Sequence, residues 1–124
     1  MESFTAIRML SALGHEARLA IYRLLTKAGA EGLAAGVIAR TLNVLPNSLS
    51  ANLNILSHAG LITSRREGRS IIYAADYDAM SGILGFLLED CCDGAPEVCG
   101  PLSAALERAT SCASACAPRP SRPS

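Results

Sequence analysis

Apolar positions recur at helical spacing along most of the chain, and one stretch breaks that rhythm. Phe4, Ile7, Leu10 and Leu13 predict a first amphipathic helix, and Leu19, Ile21, Tyr22, Leu24 and Leu25 predict a second after the Gly14-His15 break. Leu33, Val37, Ile38 and Leu42 keep the same period and predict a short helix over 33–42, which Asn43 ends. Pro46 cannot continue that helix, but its fixed φ suits the first turn of a new one, with Asn47 and Ser48 supplying capping oxygens. In this next helix, Asn47 to Ala59, Leu49, Leu53 and Leu56 face a core with Ile55 beside them, and Gly60 stops it. The pattern then turns β-branched and aromatic. Ile62-Thr63-Ser64 and Ile71-Ile72-Tyr73 predict a hairpin with Glu67-Gly68 as its punctuation. A last helix runs from Tyr77 to Asp90, with Met80, Ile83, Leu84, Leu87 and Leu88 at helical steps and Asp76 or Asp78 as its cap.

The polar positions give this order a meaning. Asn47, Ser48, Ser50, Asn52, Asn54 and Ser57 are left largely outward on their helix, with His58 at its end able to touch phosphate or to be structural. A face of small donors and acceptors can enter a major groove without steric conflict and bond base edges or phosphates. The hairpin carries Arg65, Arg66 and Arg69, whose guanidinium groups suit phosphate oxygens or a minor groove. Helix, turn, helix and basic wing together predict a mainly α, winged helix-turn-helix domain that binds double-stranded DNA.

A formal net charge of zero looks wrong for such a partner until the chain is divided. Residues 1–75 hold eight Arg/Lys against four Asp/Glu, whereas 76–124 hold three against seven. The basic module is thus kept apart from an acidic C-terminal region. At 124 residues the chain has the size of one domain, and the apolar faces of its first and last helices exceed what one winged module needs. The simplest use for them is a second copy: a two-fold homodimer presenting two recognition helices. No span of about 20 apolar residues crosses a membrane and no signal-peptide pattern opens the chain, so a cytoplasmic location is expected. Residues 1–100 are read as the DNA-binding and dimerisation domain, 101–116 as a C-terminal extension, and the Pro-rich 117–124 as a disordered tail. No phosphate loop, nucleophile elbow, zinc-protease motif or Cys-x-x-Cys pair points to an enzyme.

Five cysteines in a reducing compartment point to metal ligands, redox thiols or buried small hydrophobes rather than a disulfide framework. Cys91 and Cys92 follow the predicted last helix directly, and six residues separate them from Cys99; the bend Asp93-Gly94-Ala95-Pro96-Glu97-Val98 can bring it back to the pair. A three-thiolate site suits a thiophilic ion with a lone pair, As(III) or Sb(III), better than magnesium, calcium or manganese. Zinc needs a fourth ligand, available from a histidine, Asp93, Glu97 or Cys112. Glu89, Asp90, Asp93 and Glu97 oppose thiolate formation, which leaves deprotonation to the ion's own charge. Cys112 and Cys116, four apart, are a second ligand pair or unliganded residues near the tail.

Gly14-His15-Glu16-Ala17-Arg18-Leu19, the helix pair from Ile38 to Leu56, the His58-Ala59-Gly60-Leu61 junction and Arg65 to Tyr73 resemble the ArsR/SmtB family of winged-helix metalloregulatory repressors. The resemblance covers roughly residues 5–90. It implies a homodimer that occupies an operator without inducer and leaves it when metal or metalloid binds, with Asn47 to His58 as recognition helix and Arg65 to Arg69 as wing. Many arsenic sensors of that family carry Cys-x-Cys on the first helix of the helix-turn-helix, where this chain has Leu33-Ala34-Ala35-Gly36-Val37. Cys91-Cys92-x6-Cys99 is instead similar to the subset whose thiolates follow the last dimer helix, which makes arsenite the expected inducer. Where the family often has a basic residue or His on the recognition helix, Asn52 and Asn54 stand here. The alternatives are a redox or persulfide sensor using Cys91 or Cys92 with Cys99, a zinc-sensing repressor of the same fold, or a metalloid-buffering protein that does not bind DNA.

Overall fold

The computed structural model describes residues 1–88 together with Pro101, Ala104, Ala105 and Arg108. All five cysteines, the domain boundary expected at residue 100 and the tail 117–124 lie outside these residues. The chain divides into two compact units, Met1–Phe86 and Leu87–Ser124. In the second, Pro101, Ala104, Ala105 and Arg108 are helical and exposed.

Within residues 1–88, five helices and three short strands follow in the order α1 (Ser3–Leu13), α2 (Glu16–Ala28), β1 (Leu33–Ala34), α3 (Ala35–Leu42), α4 (Pro46–His58), β2 (Ile62–Glu67), β3 (Ser70–Ala75) and α5 (Tyr77–Leu88). Local chemistry sets most of the boundaries. The imidazole Nδ1 of His15 accepts the Ala17 N–H at 3.2 Å and caps α2. Asp76 does the same for α5, its Oδ1 accepting the Ala79 N–H at 3.0 Å. Asn43, the residue expected to end the third helix, lies in the left-handed region with φ 54°. The Val44 N–H then closes back onto the Ala39 carbonyl at 3.0 Å.

The end of α4 repeats that device with glycine. Gly60 takes φ 83°, its N–H bonds the Ser57 carbonyl at 3.0 Å, and the Leu61 N–H bonds the Leu56 carbonyl at 3.1 Å. Leu56 and Leu61, drawn together by this turn, are both fully buried. They join Ile21 and Leu25 of α2, Ile38 of α3 and Leu53 of α4 as the largest buried side chains of the core. Each stabilises the unit by roughly 1.5–3 kcal/mol relative to an exposed position. The buried phenol of Tyr22 has no hydrogen-bond partner among the described residues, and desolvation pushes its pKa up, with Asp76 and Tyr77 adding to the effect.

β2 and β3 form the expected hairpin, pairing from Ile62↔Ala75 to Glu67↔Ser70. The two-residue turn is Gly68-Arg69 rather than Glu67-Gly68. Gly68 takes φ 61° and Arg69 keeps a negative φ, the pattern of a type II′ turn whose twist matches that of the strands. A third strand was not predicted. Leu33 and Ala34, read as the first turn of a helix, pair antiparallel with Tyr73 and Ile72, giving a sheet of order β1-β3-β2. Backbone pairing wins over periodicity here because Gly32, at φ 70°, brings the chain hard against β3.

One further expectation changes. Leu45, not Asn47 or Ser48, is the N-cap of α4; Pro46 occupies the first turn and no side chain bonds the free amides. In α1 the core-facing residues are Ala6, Met9 and Ala12, while Phe4, Ile7 and Leu10 point out of the unit, with Phe4 69% and Ile7 60% exposed. The small residues face inward because α1 lies close to α2 and α4.

A Cβ at position 32 would fall onto the Tyr73 carbonyl, whereas one at Gly29, also at positive φ, would meet nothing within 4 Å. Gly32→Ala is therefore expected to cost more than Gly29→Ala, and at least about 1–3 kcal/mol, in urea unfolding followed by circular dichroism.

Candidate nucleic-acid interface

The helix-turn-helix pair consists of α3 and α4, separated by Asn43-Val44-Leu45. Leu49, Leu53 and Leu56 fix the rotation of α4 by entering the core on one face. Asn47, Ser48, Ser50, Asn54 and His58 are consequently exposed, as expected. Asn52 and Ser57 are only half-buried, since they flank the leucine stripe instead of opposing it. Ile55, expected beside the core, is 43% exposed because at about 100° per residue it lies well round the helix from Leu49, Leu53 and Leu56. Ala51 shares the outward surface. Sequence reasoning passed over both as contact candidates, though an apolar group on such a face can pack against a thymine methyl.

Arginines from α1 and α2 hold α4 in place. Arg18 donates through Nε to the Ala12 carbonyl at 2.7 Å and through Nη1 to Asn52 Oδ1 at 3.3 Å. Since guanidinium only donates, the amide oxygen of Asn52 faces Arg18 and its NH₂ group is the part left to donate elsewhere. Arg8 Nη2 bonds the carbonyl of His58 at 2.8 Å, at the C-terminal end of α4 where cations are favoured. The Gly14-to-Leu19 segment is thus partly a brace for α4. No periodicity signals that role.

The three wing arginines separate in the structure. Arg66 on β2 and Arg69 in the turn are exposed and make no hydrogen bond or ion pair with another described residue. Arg65 is engaged within the fold, although its side chain keeps 45% exposure. Its Nη2 donates to the Glu31 carbonyl at 2.6 Å, Nη1 to the Ala30 carbonyl at 3.4 Å, and Nε to Glu67 Oε1 at 3.1 Å. Strand alternation explains the division: Arg65 and Glu67 share one face of β2 and Arg66 takes the other. The structure therefore brings the outer face of α4, His58 and two free cations onto one fold, while the thiols Cys91, Cys92 and Cys99 fall outside the described residues. Among the described residues no group of three His, Cys, Asp or Glu side chains is placed to hold a metal ion. No described helix is long and apolar enough to cross a membrane.

Comparison with known proteins agrees with this arrangement. A helix-turn-helix domain family model matches residues 13–65. The nodulation protein NolR of Rhizobium meliloti is 34% identical over 82 residues, covering 66% of this chain and 65% of its own length. The match thus spans just under two thirds of that relative. The crystal structure of NolR from Sinorhizobium fredii superposes with a TM-score of 0.57 at 32% identity, over 70% of this chain and 84% of that one. The homodimeric winged helix-turn-helix DNA-binding domain of a possible ArsR-family transcriptional regulator from Mycobacterium bovis gives a TM-score of 0.55 at 27% identity, over 69% and 82% of the two chains. The fold is that of winged helix-turn-helix proteins. The chain belongs to the ArsR family, a family of transcription regulators and not of enzymes.

On a DNA duplex, each phosphate neutralised by Arg66 or Arg69 releases condensed counterions. Arg66→Ala and Arg69→Ala are each expected to flatten the slope of log K against log [salt] by about 0.9 per lost contact, read by fluorescence anisotropy over a salt series.

Proposed function

We propose that the protein is a homodimeric repressor that binds operator DNA and releases it when a trivalent metalloid, arsenite in the first instance, binds Cys91, Cys92 and Cys99. The observation that carries the DNA part is the pairing of an outward face of Asn47, Ser48, Ser50, Asn54 and His58 with the free wing cations Arg66 and Arg69. Small amides and hydroxyls suit base edges, and the arginines suit phosphate. Asn52 joins them through its amide NH₂ group, and Ser57 at the flank.

The dimer rests on apolar surface. Phe4, Ile7 and Leu10 project from α1, Tyr77 and Leu84 from α5, and all five are at least 40% exposed. An apolar surface of this kind on a small module favours burial against an identical one, and the Mycobacterium bovis domain is itself homodimeric. Two recognition helices on one operator double the phosphate contacts, which compensates for the few arginines of each copy. Ile7→Glu is expected to shift the protein toward monomer in sedimentation velocity while Glu2→Gln, a surface change on the same stretch, leaves the dimer intact.

The metalloid part rests on the spacing Cys91-Cys92-x6-Cys99, which begins three positions beyond Leu88 in the sequence. Three thiolates match the trigonal, lone-pair-bearing geometry of trivalent arsenic or antimony. Capture of Cys99 by the ion would pin the segment after α5 and repack the dimer so that the two α4 helices no longer match their half-sites. A coupling of about 1–3 kcal/mol or somewhat more suffices to empty the operator. The test is anisotropy of the reduced protein on its own promoter DNA, titrated with arsenite, for the wild type and for the Cys91→Ser, Cys92→Ser and Cys99→Ser variants. Release from wild type alone is the expected result. Tight binding indifferent to arsenite would overturn the metalloid assignment and turn attention to zinc or to oxidants acting on the same thiols. Absence of DNA binding would overturn the repressor itself.

A further inference from the structure

Arg65 is a wing residue that points away from the free end of the wing. Its guanidinium lies against the loop joining α2 to β1, where the Gly32 N–H bonds the Gly29 carbonyl at 3.1 Å and closes a turn. The carbonyls of the two central residues, Ala30 and Glu31, are the ones Arg65 binds, at 3.4 and 2.6 Å. Glu67 completes the arrangement by accepting Nε–H at 3.1 Å, which orients the fork toward the loop. The loop is itself fixed to the sheet, since Leu33 pairs with Tyr73 and Gly32 packs on the Tyr73 backbone. Arg65 thus connects β2 to the far edge of the sheet, across β3.

We infer that Arg65 is a positioning residue that sets the angle of the wing, through which Arg66 and Arg69 gain their reach to phosphate, and that it makes no DNA contact of its own. This rests on the DNA-binding reading above. A two-stranded hairpin is a weakly held element, and its outer half carries Arg66, the Gly68-Arg69 turn and few buried side chains. Bonds from one planar group to two carbonyls and a carboxylate restrain both the distance and the rotation of β2 relative to the loop. Lysine, a point charge on a flexible stem, has no equivalent fork.

The experiment is a double-mutant cycle on a duplex enriched by the wild-type protein from a randomised pool. Arg65→Ala is made in the wild type and in the Arg66→Ala/Arg69→Ala background, with affinity read by anisotropy and the fold checked by circular dichroism. The expected result is a loss of about fivefold or more in the wild-type background and less than about twofold in the background lacking the other two arginines, the non-additivity of residues acting through one another. An equal loss in both backgrounds would overturn the inference: with a further flattening of the salt slope it would make Arg65 a phosphate contact, and without one a general support of the fold. Wild-type affinity in Arg65→Ala would overturn it as well. If the wild type enriches no duplex, the DNA reading falls and takes this inference with it, whereas enrichment with an additive cycle leaves the reading standing alone.

Discussion

Leu56 and Leu61 occupy the same part of the core although one ends a helix and the other begins the approach to a strand, and Gly60 makes that possible. Its left-handed backbone returns the chain within one residue, closes the last carbonyls of α4 and leaves both leucines fully buried. The rotation of α4 about its axis and the starting point of the hairpin are then set by one packing event. With Leu49 and Leu53 inside, Asn47, Asn54 and His58 have no place but the outside. With Ile62 buried at the base of β2, strand alternation assigns Arg65 to one face and Arg66 to the other. The outer chemistry of both elements follows from a few apolar anchors within them.

Polar contacts refine what that packing leaves loose. Arg8 and Arg18 tie α4 to α1 and α2 at the His58 carbonyl and the Asn52 amide, and Tyr77 of α5 bonds the Thr26 carbonyl of α2 at 3.0 Å. These bonds are partly or largely solvent-exposed, where a single one contributes on the order of 1 kcal/mol. Their value is orientational: each joins an element facing outward to one anchored in the core. A rearrangement of α1 against a second copy would reach α4 through Arg8 as well as through Met9 and Ala12.

The helices, the hairpin and the winged order were legible because each has a local physical signature. Apolar period marked α2, α3 and α4, Pro46 and Gly60 marked the bounds of α4, and a change from helical to alternating pattern marked the sheet. Leu33-Ala34 escaped because two residues show no period and their conformation is imposed by Tyr73, forty residues on. Ile55 was misplaced because its neighbours in sequence are core residues while its helical phase is not. On α1, periodicity found an apolar stripe, Phe4, Ile7 and Leu10, and the surplus of apolar faces over what one module needs marked it as outward-facing. The separate employment of three nearby arginines was harder to see: strand alternation puts Arg65 and Arg66 on opposite faces, but that the Arg65 face meets the Ala30 and Glu31 carbonyls is set by a distant loop. Of the candidate site, the DNA-facing half could be set against geometry, while the thiols rest on spacing.

The three-stranded sheet has two edges, the two-residue β1 and the longer β2, and among the described residues no strand pairs with the outer side of either. The longer of these edges belongs to β2, a six-residue strand whose successive residues Thr63, Ser64, Arg65, Arg66 and Glu67 are all polar. An uncovered strand is a template on which other chains can add, and charge along it is the usual protection. The hairpin's arginines therefore guard the protein against association through its own backbone. An apolar wing would leave this molecule prone to strand-to-strand clustering, so the composition of β2 answers to the exposure of its own backbone before any other task its side chains take on.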